Sequence, residues 1–184
     1  MLAHLRGFFA GHRVDVREPP DDRVLERIPG FRIAAVRRGP VFGRRVYVSL
    51  GCRDAVRTEE HGLEFVLVAP DDSERHLLWL TMAAYYHANP DDLGFRLDLG
   101  HTVPIGEPWS PGSPCDHLLV SLPYPFGREL EACAWEGGHA RLLWLLPITE
   151  AERDLATAEG LEALEQRFDD AALEYWDPGR ASVV

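Results

Sequence analysis

The clearest signal in the hydrophobic pattern is an unbroken apolar run, Leu142–Leu146, near the end of the chain. Gly137 and Gly138 precede the run, and Pro147 follows it. An apolar run of this length between turn residues predicts a strand that is buried on both faces. We therefore place this strand at the centre of a sheet and expect Trp144, in the middle of the run, to be a core residue.

Residues 45–50 have a different pattern, because apolar and polar side chains alternate along them. The apolar positions are Val46, Val48 and Leu50, and the positions between them are Arg45, Tyr47 and Ser49. Alternation predicts a strand with one buried face, so we expect the other face to present polar and aromatic groups. Further strands are predicted at Phe31–Val36, Gly62–Ala69, Phe95–Leu99, Thr102–Ile105 and His117–Leu122, with a hairpin formed by Glu131–Trp135 and Arg141–Leu146.

Helical patterns occupy three parts of the chain. Met1–His12 is predicted to be amphipathic, and Glu74–His87 carries apolar side chains almost all round, so it should be largely buried. Thr149 and Glu152 have the spacing of a capping box and predict the start of an acidic helix. A second amphipathic helix follows, with an apolar stripe at Leu161, Leu164 and Phe168.

Together these elements predict a single α+β domain over residues 1–184. Residues 1–30 form the N-terminal helix and a Pro-rich connector (Val14–Asp22) without periodicity. The predicted sheet is mixed and mostly antiparallel, and the helices Glu74–His87 and Thr149–Phe168 cover it. No apolar run approaches the ~20 residues of a membrane span. The three cysteines form no C-x-x-C pair, so a reducing cytoplasm is the expected location.

The net charge of −11 is unevenly distributed. Between Thr149 and Asp177 there are ten acidic residues and two arginines, whereas seven arginines and one aspartate lie between Gly30 and Arg57. An acidic protein repels phosphate backbones, which disfavours nucleic acid as a partner. An acidic helix face around Glu159 and Glu162 would attract a basic protein partner. The alternative is a solvated surface that keeps the chain soluble.

Known catalytic motifs are not found in the sequence. There is no nucleophile elbow, phosphate-binding glycine loop, dinucleotide fingerprint or zinc-protease motif. Three Pro-Asp-Asp segments begin at Pro20, Pro70 and Pro90, and we expect them to form turns and helix caps.

One cluster contains possible metal ligands, namely Cys115, Asp116 and His117 with His101 nearby. It lacks the spacing of a structural zinc site, so a buried cysteine and a hydrogen-bonded histidine are expected instead. We predict no catalytic residue, no metal and no cofactor.

Several pieces of the chain occur together in an order that is informative. They are the aromatic-x-Ser-x-Gly segment Tyr47–Gly51, the strand Gly62–Leu67, the helix Leu77–Tyr86, the tripeptide Gly100–Thr102, the strand His117–Val120, the segment Leu142–Arg153 with the helix Gly160–Leu164 after it, and the tail Asp177–Val184. In this order, from about Val41 to Val184, the chain resembles the Suppressor of fused-like domain family. The tail is similar to that of bacterial members, and the use of arginine without any lysine is typical of a GC-rich bacterial genome.

The resemblance implies a protein that binds another protein and catalyses no reaction. Animal members of the family are two-lobed and hold a zinc-finger transcription factor through a short peptide gripped between the lobes; this chain is long enough for the first lobe alone. Bacterial single-domain members are similar to immunity proteins, which neutralise a cognate toxin by binding it. A cytoplasmic immunity protein is therefore the leading hypothesis. The alternatives are a small-ligand binder or enzyme that uses the region of Tyr47, His101 and His117, and a regulatory scaffold that sequesters a host protein.

Two candidate partner-binding surfaces follow. In the family, the aromatic-x-Ser-x-Gly strand lies near the partner-binding region, and Tyr and Arg are frequent hot-spot residues. The first candidate surface consists of Arg45, Tyr47, Ser49 and Asp54. For Tyr47 the alternative is ordinary packing of the sheet under a helix. The second candidate surface is the acidic helix face around Glu159 and Glu162.

Overall fold

Most of the predicted elements are present in the computed structural model, which describes residues 1–39, 42–55, 62–89, 96–135 and 138–184. Within these residues the eight strands are β1 (Val14–Arg17), β2 (Arg32–Val36), β3 (Arg45–Leu50), β4 (Leu63–Ala69), β5 (Thr102–Pro104), β6 (His117–Ser121), β7 (Ala132–Trp135) and β8 (Gly138–Ile148). The seven α-helices of the same residues are α1 (Leu2–Phe8), α2 (Val24–Arg27), α3 (Cys52–Ala55), α4 (Glu74–His87), α5 (Arg128–Glu131), α6 (Glu150–Glu159) and α7 (Leu161–Asp170). No helix in the described ranges is long and apolar enough to cross a membrane.

The described residues divide into two units. The first unit contains Met1–Leu97 and Leu122–Trp144, and the second contains Asp98–Ser121 and Leu145–Val184. Strand β8 therefore contributes residues to both units. The mixed, mostly antiparallel strand pairing and the helices that pack on the strands confirm the predicted α+β class. The predicted extent of one domain over residues 1–184 stays a prediction.

In the first unit, strands lie side by side in the order β1-β2-β3-β4-β8, and β7 pairs with β8. The pairs β1–β2, β2–β3, β3–β4 and β7–β8 are antiparallel. The pair β4–β8 is parallel and places Val66 opposite Trp144. Helix α4 packs against β3 and β4. The β7–β8 pairing confirms the predicted hairpin.

In the second unit, β5 pairs with β6 in antiparallel register, and β6 lies beside β8. Helix α6 begins at the predicted capping box, in which Thr149 Oγ1 accepts from Glu152 N at 3.2 Å and Glu152 Oε2 accepts from Thr149 N at 2.9 Å. Gly160 has a φ of +94°, which glycine adopts readily, and it separates α6 from α7. Helix α7 buries Leu164 and Phe168 of the predicted stripe.

The strand around Trp144 is buried on both faces, as predicted, because every residue from Leu142 to Ile148 is buried. Pro147 does not end this strand, contrary to the prediction, since β8 continues to Ile148. Proline is tolerated in a strand where its nitrogen needs no partner. Its carbonyl oxygen does have a partner, because Arg180 Nη2 donates to it at 3.0 Å.

Two other predictions are wrong in detail. Part of the Pro-rich connector forms β1, because it pairs with β2. A segment of four residues is too short for its own pattern to predict this pairing. Residues 96–99 are not a strand, and the rest of that predicted strand lies outside the described residues, as does the segment that begins at Pro90. Helix α4 is largely buried, as predicted, although Leu78 and Tyr86 are exposed.

We expect Trp144→Ala to lower the free energy of unfolding by ~3–5 kcal/mol, the usual range for deleting a large buried aromatic side chain. The physical reason is burial, because Trp144 is 1% exposed. A urea titration of both proteins measures the difference. Trp135→Ala is the matched control and should cost far less, since Trp135 is 36% exposed. A loss below ~1 kcal/mol for Trp144→Ala would contradict the central position of β8.

Candidate functional site

The side chains of Tyr47 and Ser49 are fully buried, so the expectation that they lie on an exposed face of β3 is wrong. Strand β3 lies between β2 and β4, and α4 packs against it. Alternation misleads here because these polar side chains of β3 hydrogen-bond to carboxylates of other elements, Tyr47 to Asp72 and Ser49 to Glu64. The partner-binding role predicted for these two residues is not tested by their burial, but in this structure they present no surface to a partner.

Tyr47, Arg45 and Arg17 converge on the carboxylate of Asp72, in the connection between β4 and α4. Tyr47 Oη donates to Asp72 Oδ1 at 2.8 Å, and Arg17 binds both carboxylate oxygens at 3.1 Å. Arg45 Nη2 lies 2.8 Å from Asp72 Oδ2. The hydrogen bonds from Arg17 and then Tyr47 hold the pKa of Asp72 below its usual value. This cluster ties β1 and β3 to the start of α4, and Ser73 caps that helix as predicted.

A second carboxylate, that of Glu64 in β4, organises the turn after β3. Ser49 Oγ donates to Glu64 Oε2 at 2.5 Å and accepts from Phe65 N at 2.8 Å. The carboxylate also accepts from three backbone N–H groups of the turn, those of Gly51 (2.8 Å), Cys52 (3.3 Å) and Arg53 (3.4 Å). Gly51 has a φ of +121°, a conformation that other residues rarely adopt. The aromatic-x-Ser-x-Gly segment therefore encodes this turn.

The environment of Glu64 changes its acidity. The side chain is fully buried, and burial raises its pKa to about 7, although the hydrogen bonds from Ser49 and the turn favour the ionised form. Burial and the neighbouring carboxylate also raise the pKa of the Cys52 thiol. A thiol that stays protonated is a poor nucleophile. The arrangement can bind a proton near neutral pH, but it does not present an activated cysteine.

Asp54 differs from the other residues of the first predicted surface, because its side chain is 63% exposed. It lies in α3, where its Oδ1 is 3.0 Å from Arg53 Nε. Arg53 in turn lies 4.4 Å from the ring centroid of Trp135 and donates to the carbonyl of His139 at 3.1 Å. Arg45 is only 16% exposed and is bound to Asp72. Asp54 is therefore the accessible member of this predicted surface.

Glu159 and Glu162 are exposed, at the end of α6 and the start of α7. They belong to a larger acidic surface of these two helices, whose exposed members include Glu150, Asp154, Glu159, Glu162, Asp169 and Asp170. The second unit contains thirteen acidic residues and three arginines, so it carries −10 of the total net charge of −11. Charge concentrated in this way raises the local concentration of cationic partners.

A third carboxylate, that of Glu152, is buried like that of Glu64 and anchors the C-terminal tail within the second unit. Arg180 Nη1 and Nη2 donate to its two oxygens at 2.6 Å and 2.7 Å, and Val183 N donates to it at 3.1 Å. Glu152 is fully buried and Arg180 nearly so. The Arg180 guanidinium also lies 5.7 Å from the ring centroid of Phe168. The capping residue of α6 therefore also holds the tail in place.

The Cys115 region has the expected buried cysteine and bonded histidine. Cys115 is buried, and His117 Nδ1 lies 2.8 Å from Asp116 Oδ1. His101 Nδ1 accepts from the backbone N–H of Asp98 at 3.1 Å. Within the described part of the chain, no three His, Cys, Asp or Glu side chains are grouped so as to hold a metal ion. Nothing in these contacts adds support to the small-ligand alternative.

The roles of the three acceptor carboxylates, those of Glu64, Asp72 and Glu152, are not fully predicted by the sequence pattern. For Glu64 a signal exists, since a lone charged residue in the apolar strand Leu63–Ala69 must have donors around it if it is buried. For Asp72 the sequence carries no such signal, because its donors come from distant strands. For Glu152 the capping box is recognisable, but its second role depends on Arg180 in the tail.

Comparison with known proteins identifies the same family over most of the chain. The sequence matches the family model "Suppressor of fused protein (SUFU)" over residues 27–181. The chain is similar to the crystal structure of a protein described as a SUFU (suppressor of fused protein) homolog from Neisseria gonorrhoeae, with 36% identity, a TM-score of 0.84, and coverage of 100% of this chain and 94% of that chain. No curated protein sequence matches the chain.

Two more distant structures share the fold. One is a chain of the Sufu–Fu complex, with 13% identity, a TM-score of 0.70, and coverage of 99% of this chain and 90% of that chain. The other is Drosophila Suppressor of Fused, with 14% identity, a TM-score of 0.68, and coverage of 99% of this chain and 50% of that chain. This chain therefore spans half the length of the Drosophila protein. The resemblance inferred from the sequence is confirmed.

The acidity of Glu64 predicts a pH dependence of stability. Between pH ~4.5 and ~7 the native state holds a proton that the unfolded chain releases, so the stabilisation from this group is present at low pH and is lost as pH rises through about 7. We expect the wild type to lose ~3 kcal/mol more than Glu64→Gln between pH 4.5 and pH 8, measured by urea titration at each pH.

Ser49→Ala is the companion variant for this experiment. It removes one donor that lowers the pKa of Glu64, so the loss of stability should extend to higher pH than in the wild type. Identical pH profiles for the wild type and Glu64→Gln would contradict the assignment.

Removal of Arg180 should destabilise the second unit strongly. Arg180→Ala leaves the carboxylate of Glu152 buried without its cation, and we expect a cost of ~3–5 kcal/mol in a denaturant titration. The control is the double variant Glu152→Gln/Arg180→Met, which removes both charges and should be less destabilised than Arg180→Ala. If the single variant lost no more stability than the double, the ion pair would not be the anchor of the tail.

Proposed function

The chain belongs to the suppressor of fused protein family, and from this we propose that it is a non-catalytic protein-binding module that serves as the immunity partner of a bacterial toxin. One of the similar structures, Sufu–Fu, is that of a complex. Our proposal carries protein binding over to this chain and adds a toxin as the partner. Its site of action is the cytoplasm.

The observation that carries the proposal is the acidic surface of α6 and α7, which includes Glu159 and Glu162. The second unit holds −10 of the net charge of −11. A surface of one sign accelerates encounter with a partner of opposite sign and suppresses binding of like-charged molecules. Toxins that act on nucleic acids must themselves be attracted to phosphate, so a basic toxin surface is the natural complement of this face.

The buried carboxylates support a role without catalysis. Glu64 and Glu152 are fully buried, and their oxygens accept hydrogen bonds from strands, turns and the tail. A general acid or base has to reach the proton that it transfers. Each of these groups is instead enclosed by the structure that it holds together.

The test begins with the gene that lies directly upstream. We expect its product to arrest growth when it is expressed alone, and co-expression of this chain to restore growth. Binding of the purified proteins is then measured by surface plasmon resonance at low and high salt. A neighbouring product that is harmless, or that does not bind the chain, would remove the immunity role.

Charge reversal locates the binding surface. We expect Glu159→Arg/Glu162→Arg to weaken binding by about tenfold at low salt, mainly through slower association, with a smaller effect at high salt because ions screen exposed charges. The matched control is Glu18→Arg/Glu129→Arg, which makes the same charge change at exposed glutamates of the first unit. Equal effects of the two double variants would contradict a specific role for the acidic surface.

A further inference from the structure

A groove of about 390 Å³ runs between α2 and α4 within the first unit. Its lining residues include Val24 and Arg27 from α2, Leu78, Met82, Tyr85 and Tyr86 from α4, and the Asp21–Arg23 ion pair that precedes α2. Pockets of ~300–1,000 Å³ bury small ligands or a few side chains of a larger partner. We call this feature the α2–α4 groove.

The floor of the α2–α4 groove is apolar and open to solvent. Leu78, Met82 and Tyr86 occur at i, i+4 and i+8 of α4, so they form one stripe along the helix. Leu78 is 43% exposed and Tyr86 is 52% exposed. The opposite side of α4 is buried against β3 and β4. Helix α4 therefore has two apolar faces, and the sheet covers one of them.

The wall of the groove supplies a positioned cation. The guanidinium of Arg27 lies 3.6 Å from the ring centroid of Tyr85 and donates to the Tyr85 carbonyl at 2.9 Å. No carboxylate of the described residues lies within 4.0 Å of it. Neighbouring Arg23 differs, because it is paired with Asp21. Since guanidinium has five N–H donors, Arg27 can still bind a carboxylate while it remains stacked on the ring.

We propose that the α2–α4 groove binds a short acidic amphipathic helix of a protein partner. Two apolar side chains of that helix, one turn apart, pack on Leu78, Met82 and Tyr86, and an adjacent Asp or Glu pairs with Arg27. This inference rests on the proposed function in that it takes the chain to be a protein-binding module. It adds a second surface, with chemistry opposite to that of the acidic surface on α6 and α7.

The geometry favours a helix over an extended peptide. Extended peptides bind by adding a strand to a free sheet edge, where backbone hydrogen bonds supply the affinity. The walls of this groove come mainly from two helices, and none of its described lining residues belongs to a strand that could pair with an added strand. A helical ligand satisfies its own backbone and needs only side-chain contacts, which are what the stripe and Arg27 offer.

The size of the exposed stripe argues against a second copy of the chain as the occupant. A stable dimer interface covers about 800 Å² on each partner. The two exposed side chains of the stripe, Leu78 and Tyr86, offer far less than that area. A few turns of helix match the groove, and Tyr and Arg are the residue types that most often dominate such small interfaces.

The charge of the first unit is compatible with an acidic ligand. It contains seventeen acidic residues and sixteen arginines, which gives a net charge of −1, compared with −10 for the second unit. A ligand carboxylate close to Arg27 therefore meets a nearly neutral unit. At ordinary salt concentrations, charges more than about 8–10 Å away are largely screened, so they have little effect on the ligand carboxylate.

The experiment is a selection with a displayed library of helical peptides about four turns long, panned on the wild-type chain after depletion on Leu78→Asp. We expect enriched peptides to share two apolar residues spaced i, i+4 and a neighbouring Asp or Glu. Their affinities are then measured by fluorescence anisotropy. Leu78→Asp should weaken binding at least about tenfold, and Tyr86→Ser and Arg27→Gln by about fivefold or more.

Controls separate the groove from general effects. Tyr124→Ser is matched to Tyr86→Ser, since Tyr124 is 50% exposed, and it should change affinity less than about twofold. Arg27→Glu should prefer peptides whose carboxylate is replaced by a lysine. If circular dichroism shows that Leu78→Asp is unfolded, the peptide affinity of Tyr86→Ser provides an independent test.

Three results would overturn the inference, namely a selection that enriches no peptide, enriched peptides without an acidic residue, or equal affinity for the wild type and both groove variants. Failure here is distinguishable from failure of the proposed function. If Leu78→Asp still protects cells from the toxin and binds it with unchanged affinity while the peptides fail, then the groove inference is wrong and the immunity role stands.

Discussion

A carboxylate that is removed from water must be surrounded by donors, and this requirement organises both units of the chain. In the first unit, Glu64 gathers a hydroxyl from β3 and the backbone N–H groups at the start of α3. In the second, Glu152 gathers the N–H at the start of α6 and the guanidinium of Arg180. In both cases donors come from a helix N-terminus, where the peptide dipoles favour negative charge. The same contact therefore satisfies the buried charge and fixes where the helix begins.

This explains why the aromatic-x-Ser-x-Gly segment has its composition. Tyr47 supplies a hydroxyl to Asp72, Ser49 supplies one to Glu64, and Gly51 supplies both an N–H and a φ of +121°. All three roles are structural. A family signature of this kind identifies the fold. Asp54, just after this segment, is the accessible residue of the first predicted surface.

The sequence predicts elements whose signal is local. The capping box at Thr149, the N-cap at Ser73 and the buried run around Trp144 are all set by residues within one element, and the structure has each of them. The prediction fails where a distant partner decides. Strand β1 exists because β2 pairs with it, and Pro147 stays inside β8, where Arg180 donates to its carbonyl.

Candidate site residues follow the same division. Charge and helical periodicity predict the exposure of Glu159 and Glu162, because burying a helix face rich in carboxylates would cost a large amount of free energy. Period-two alternation does not predict the burial of Tyr47 and Ser49, because it assumes that polar side chains point to water. Packing of Tyr47 under a helix is the alternative prediction, and the structure has it. Their true partners, Asp72 and Glu64, are known only once β3, β4 and the start of α4 are assembled.

Helix α4 poses a different question, because its apolar composition exceeds what its packing needs. The face formed by Leu77, Leu80 and Ala84 is buried, whereas Leu78 and Tyr86 are 43% and 52% exposed. Surface positions are ordinarily polar where packing makes no demand, since contiguous exposed apolar side chains promote association. An apolar stripe beside a stacked, positioned arginine is thus not explained by the stability of the fold. The helical ligand that we propose for the α2–α4 groove would cover this stripe.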